Sequence, residues 1–123
     1  MKVLRYGWPA FGWAIFVLRM TLAAPSGLSR FGWLVAIPNV DKFVHIFLFG
    51  GQTWWLAWAF LKMNAQKYGF WSVGLSVVFG ILIEIIQPSF GRSADIWDAL
   101  ADGVGAGIAF FLFTQIFSKK TVK

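Results

Sequence analysis

GFWSVGLSVVFGILIEIIQ, residues 69–87, decides the fold class. It holds one charged side chain, Glu84, in nineteen positions. A helix of that length rises about 28 Å, close to the ~30 Å hydrocarbon core of a bilayer. The stretch lacks the period-2 alternation of a membrane-barrel strand. An isolated span must satisfy its backbone hydrogen bonds within itself, which leaves the helix. Three more apolar stretches, 8–24, 43–61 and 97–117, read the same way. The expectation is an all-α, polytopic integral membrane protein with four transmembrane helices, in a single domain covering 1–123.

Composition supports this. Of 123 residues, 59% are hydrophobic and 13% charged, with a mean hydropathy of +0.68. A soluble domain typically carries about 25% charged residues, so a globule made from this chain would lack a polar coat. Cysteine is absent, which excludes disulfides and thiolate metal sites. The net charge of +6 and the pI of about 10.1 would suggest nucleic acid in a soluble protein. Here the basic residues sit mostly between apolar stretches and at the chain ends, with no basic helix face or aromatic-basic platform. They point to membrane lipid as a partner, to orientation by the positive-inside rule, and away from nucleic acid.

With the N-terminus inside, Lys2, Arg5, Lys62, Lys67, Lys119, Lys120 and Lys123 are cytoplasmic, seven in all. Arg30 and Arg92 fall on the outer side, Lys42 at a helix entrance and Arg19 within a helix. Seven against three or four predicts N-in, C-in. Pro25 and Gly27 close the first helix, and Pro38 precedes the second. Residues 31–37 between them are apolar but too short to span, and are expected in the interface with Trp33 as an anchor. Residues 62–67 read as a polar loop and 88–92 as a tight turn. Lys2, Arg5, the apolar run and Leu22-Ala23-Ala24 resemble a signal peptide. Arg19 inside that run favours a retained span.

All five acids and the only histidine fall toward one membrane face. Asp41 opens the second helix and His45 follows at i+4; Glu84 and Gln87 end the third; Asp95, Asp98, Asp102 and Gly105 form one stripe entering the fourth. His45 and Asp102 lie about 6 Å deeper than the helix entrances, so the cluster is a shallow pocket. Its bland reading is a set of ion pairs, with Arg19, Lys42 and Arg92 neutralising Glu84, Asp95 and Asp98. Against that, an ionisable residue inside a span carries an insertion cost and is a functional candidate by default.

Asp41-Lys42-x-x-His45, Phe49, Glu84-x-x-Gln87 and Arg92-x-x-Asp95-x-x-Asp98-x-x-x-Asp102-x-x-Gly105 together resemble the motif series of VanZ-like membrane proteins. The resemblance covers residues 41–105. It departs from the family pattern at Asp102, where Asn is frequent, and at Ala109, where Gly is frequent. The first departure alters the charge of the pocket; the second still permits close helix packing. The resemblance implies a multi-pass protein of the bacterial inner membrane, and a link to susceptibility to the glycopeptide teicoplanin.

Three functions follow. The first is binding of, or action on, a lipid-linked or glycopeptide-type envelope ligand at the outer leaflet. His45 is then the acid/base or contacting group, oriented by Asp41, with Glu84 as a second acid/base. Lys42 and Arg92 hold phosphate or carboxylate. No motif nucleophile accompanies them, and Ser93 reads as a loop serine, so the sequence leaves open whether chemistry occurs. The second is divalent-cation binding or transport through His45, Glu84, Asp95, Asp98 and Asp102. The cytoplasmic halves of the helices contain no acid or histidine, which favours a binding site over a conduit. The third is a structural or accessory subunit packed through Gly103, Gly105, Gly107 and Ala109.

Overall fold

Among the described residues there are four long helices: α1 (Lys2–Leu22), α2 (Val40–Lys62), α3 (Tyr68–Ile86) and α4 (Ile96–Thr121). The structure is a computed structural model and describes residues 2–22, 40–90 and 96–121. The side chains of Val40, Asp41, Phe90 and residues 118–121 are outside that description. Among the described residues there is no strand. The segment expected in the interface, 31–37, lies outside them, as do Arg30, Arg92 and Asp95.

Three of these helices extend beyond the apolar stretches, most of all α1, which starts at Lys2 and not near residue 8, whereas α3 matches its stretch to within one residue. Hydropathy marks where a helix is greasy, whereas Lys2 and Arg5 are good helix formers that extend it. α1 also runs through Pro9, whose missing N–H leaves the Arg5 carbonyl without its usual donor. Of the tight turn expected over 88–92, residues 91 and 92 lie outside the described residues, and the described part belongs to a 3₁₀ helix over Gln87–Phe90. Pro88, at its second position, supplies a suitable fixed φ where no intrahelical donor is needed.

The α2–α3 connection has a defined chemistry. Ala65 N–H donates to Phe60 O at 2.9 Å and Asn64 N–H to Leu61 O at 3.1 Å. Asn64 has φ 57°. This is a Schellman ending with Asn64 in the left-handed position, which Asn tolerates better than most residues. Lys67 repeats the left-handed geometry at the start of α3, with φ 54° and ψ 40°.

Contacts fix the directions. Trp13 meets Leu48, Ala10 meets Gln52 and Tyr6 meets Trp58, so α1 and α2 are antiparallel. Phe49 meets Phe79 and Thr53 meets Ser76, so α2 and α3 are antiparallel too. His45 meets Asp102 and Trp54 meets Phe113, so α2 and α4 run parallel. α2 packs against all three others, most extensively against α4.

That α2–α4 contact is made backbone to backbone. A Cβ on Gly105 would meet the Ile46 carbonyl oxygen and stand 2.8 Å from Ile46 Cα. A Cβ on Gly50 would stand 3.3 Å from the Gly105 oxygen and 3.6 Å from Ala109 Cβ. Of the small residues expected to allow close packing, Gly105 and Ala109 do so; Gly103 and Gly107 have no heavy atom within 4 Å of where a Cβ would sit.

Polar side chains share the interior with apolar ones, while large apolar side chains cover the outer faces. The interior holds Thr21, His45, Gln52, Thr53, Ser72, Ser76, Gln87, Asp98 and Asp102 beside Val17, Leu48, Phe49 and Ile83. The outer faces present Phe11 and Ile15 of α1, Phe43 and Phe47 of α2, Phe70, Val78 and Ile85 of α3, and Val104, Ile108 and Phe111 of α4. Two helical segments, Tyr68–Ser89 and Ile96–Phe117, are long and apolar enough to cross a membrane.

The Gly105 contact predicts a sharp contrast. Gly105→Ala forces two backbones apart and lowers stability by about 1–3 kcal/mol, the range for overpacking. Gly107→Ala meets open space and should leave stability unchanged or slightly raised, since Ala is the better helix former. Thermal unfolding of both variants in detergent measures the difference.

Candidate functional site

The site forms at one end of the bundle, where α2 and α4 begin and α3 ends. His45 lies early in α2 and is 3% exposed. Phe49, one turn on, lies nearly parallel to its ring, at 10° with centroids 6.1 Å apart, and covers one side of the pocket. The tight crossing of Gly105 against Ile46 brings α4 alongside His45, and Asp102, three residues before Gly105, arrives opposite the ring. Its Oδ1 lies 2.7 Å from His45 Nδ1. With Asp102 ionised, Nδ1–H donates that bond.

Asp98, one turn earlier on α4, places Oδ2 3.6 Å from His45 Nε2, close enough for an ion pair but too far for a hydrogen bond. Asp98 is also in the first turn of α4, where its charge suits the positive end of the helix dipole. Lys42 Nζ lies 3.4 Å from Asp98 Oδ1. The Lys42 side chain is 28% exposed, so it forms the rim. A continuous series therefore leads inward from Lys42 through Asp98 and His45 to Asp102.

α3 contributes Gly80 and Glu84, four residues apart on one face. A Cβ on Gly80 would lie 2.6 Å from Asp102 Oδ2, so glycine here leaves room for the carboxylate in its present position. Glu84 is half-buried, and it offers a ligand atom within 4.8 Å of those of His45 and Asp102. Asp102 Oδ2 is buried and has no hydrogen-bond partner among the described residues.

Of the residues singled out in the sequence, Lys42, His45, Glu84, Asp98 and Asp102 come together. Sequence spacing offers Asp41 as the orienting group for His45. The hydrogen-bonded carboxylate is Asp102 instead, delivered across the α2–α4 crossing, while the Asp41 side chain lies outside the described residues, as do Arg92 and Asp95. Gln87 is buried, and its Nε2 donates to the Thr21 carbonyl at 3.0 Å, fastening α1. Of the expected ion pairs, Lys42–Asp98 is present, whereas Arg19 is exposed on α1.

Sequence reasoning missed Gly80, whose signal was a small residue one turn before Glu84. It also missed three polar residues amid apolar runs. Thr53 and Ser76 are hydrogen-bonded at 2.8 Å between α2 and α3, and Gln52 Nε2 donates to the Ala10 carbonyl at 3.2 Å. Among the described residues the cluster contains no hydroxyl or thiol. Its chemistry is that of imidazole between carboxylates, suited to holding a proton or a cation and to contacting an anionic group at Lys42.

The two charged contacts should differ in strength. A double-mutant cycle between His45→Ala and Asp102→Ala is expected to give a coupling of about 1–3 kcal/mol, as for contacting residues within a network. The partly exposed Lys42–Asp98 pair should give less than about 1 kcal/mol. Denaturant unfolding of the purified protein measures both.

The chain matches no protein-family model, no curated protein and no solved structure.

Proposed function

We propose that this chain is a VanZ-like protein of the bacterial inner membrane. It has four spans and both termini in the cytoplasm, and its polar cluster binds a cell-envelope ligand from the extracytoplasmic side. Membrane embedding is supported by the apolar outer faces of all four helices and by the polar groups buried between them. In water that arrangement would expose large apolar areas; in lipid most of the outer faces would be solvated by the acyl chains. The α1 and α2 helices are 21 and 23 residues long, enough to span. The orientation rests on the lysines and arginines collected at the bundle end opposite the acids.

The observation that carries the ligand-binding function is the convergence of His45, Glu84, Asp98 and Asp102 from three helices, with Lys42 at the rim. Packing alone does not call for it. Buried ion pairs are often replaceable by apolar residues without loss of stability, and ionisable groups in a span mark functional sites. Lys42 suits the phosphate or carboxylate of a lipid-linked or glycopeptide-type ligand. In a sensitised host the phenotype is altered teicoplanin susceptibility. Transport of a divalent cation is the weaker alternative, because the far halves of the helices supply no acid or histidine.

Two results test these proposals. Reporter fusions at Asn64 and Lys123 should both read cytoplasmic; an external signal at Lys123 removes the orientation. Glu84→Gln nearly keeps side-chain shape, and should leave membrane abundance and thermal stability near wild type while abolishing the susceptibility phenotype; His45→Asn should abolish the phenotype too, with some loss of stability from the weakened Asp102 contact. Parallel loss of abundance and phenotype in Glu84→Gln would instead assign the cluster to folding.

A further inference from the structure

We infer that His45, Glu84 and Asp102 form a binding site for a divalent transition-metal ion, with Zn²⁺ the best match. The inference deepens the ligand-site proposal above and rests on it. One atom from each residue lies within 4.8 Å of the others, and the three come from three different helices. Donors around a tetrahedral Zn²⁺ stand about 3.4 Å apart, given metal–ligand distances near 2.0–2.2 Å. Modest side-chain rotation closes that gap.

The second observation is Asp102 itself. It is 1% exposed, and its Oδ2 has no hydrogen-bond partner among the described residues. A buried carboxylate oxygen left without a donor costs free energy, and such an atom in a folded protein calls for a physical explanation. This one faces α3 over Gly80, one turn from Glu84. A cation between the two carboxylates would satisfy Oδ2 and offset the repulsion of like charges.

Donor chemistry narrows the ion. One imidazole nitrogen and two carboxylate oxygens, without thiolate, suit Zn²⁺, Mn²⁺ or Fe²⁺ better than Ca²⁺ or Mg²⁺, which prefer oxygen alone. A metal taking the place of the Nδ1 proton leaves Nε2–H facing Asp98, 3.6 Å away. A shift of a few tenths of an ångström would bring the two to hydrogen-bond distance, the carboxylate–histidine–metal arrangement that orients a ligating ring. Three protein ligands leave a fourth position open, on which an oxygen of a phosphate or carboxylate group can bind while Lys42 contacts its remaining charge.

The test is titration of tag-free, detergent-purified full chain with Zn²⁺ by calorimetry and with Co²⁺ by visible absorption. One ion per chain is expected, with Co²⁺ showing ligand-field bands of a four- or five-coordinate site. Glu84→Gln and Asp102→Asn should each weaken Zn²⁺ binding by roughly tenfold or more, while Arg19→Gln, exposed on α1, titrates as wild type. Size-exclusion and circular dichroism verify folding; if Asp102→Asn fails to fold, half-buried Glu84→Gln decides alone. Absence of Zn²⁺ binding by the folded wild-type chain overturns the inference, as does binding unchanged in Glu84→Gln. Should Glu84→Gln abolish the susceptibility phenotype while wild type binds no metal, the metal inference falls and the ligand site stands. The reverse, metal binding lost with the phenotype intact, leaves the metal and removes the ligand site.

Discussion

Everything at the polar end of this protein depends on how closely α2 and α4 approach. At Gly105 a backbone takes up space that any side chain would occupy, against Ile46 on the neighbouring helix. Gly50 and Ala109 continue the contact away from the site. In a bilayer no hydrophobic force pulls apolar helices together, so dispersion contacts between small residues and interhelical hydrogen bonds carry the association. The same crossing positions Asp102 against His45, one helical turn from the glycine contact. Fold and site thus share one constraint.

A second constraint holds α1. It meets α2 through the Trp13 indole N–H, which donates to the Leu48 carbonyl at 2.7 Å, and through the Gln52 amide on Ala10. Gln87 makes the third such bond, from the end of α3 to Thr21. All three are side chains reaching a backbone carbonyl on another element. Such a bond is specific in position, because a helical carbonyl can be reached only from one side. The register of α1 is therefore set by polar groups, while Val17, Leu48, Phe49 and Ile83 fill the space between.

The site joins these constraints to chemistry. Gly80 leaves room for the Asp102 carboxylate, Asp102 holds the His45 ring, and Phe49 covers one side of it. The deep members are nearly inaccessible, whereas Lys42 and Glu84 are partly open. The interior of the site is therefore mainly anionic, and the cationic group at its rim, Lys42, is paired with Asp98.

The sequence by itself determined the helical class, the number of long helices and the end of the bundle that gathers the acids. Each of these is one-dimensional: apolar length, proline and glycine punctuation, and the position of charges along the chain. It also aligned Asp98, Asp102 and Gly105 on one stripe, since helical periodicity is local. Helix ends were less legible; α1 runs on through Lys2 and Arg5 because helix propensity does not stop where hydropathy does. Only the tertiary structure decided that Asp102 is the partner of His45, that Gly80 makes room for it, that Gln87 serves α1, and that Gly105 packs while Gly107 faces outward. Periodicity states which residues share a face but not what that face meets. The partner depends on crossing and register, which are set by contacts between residues far apart in the chain.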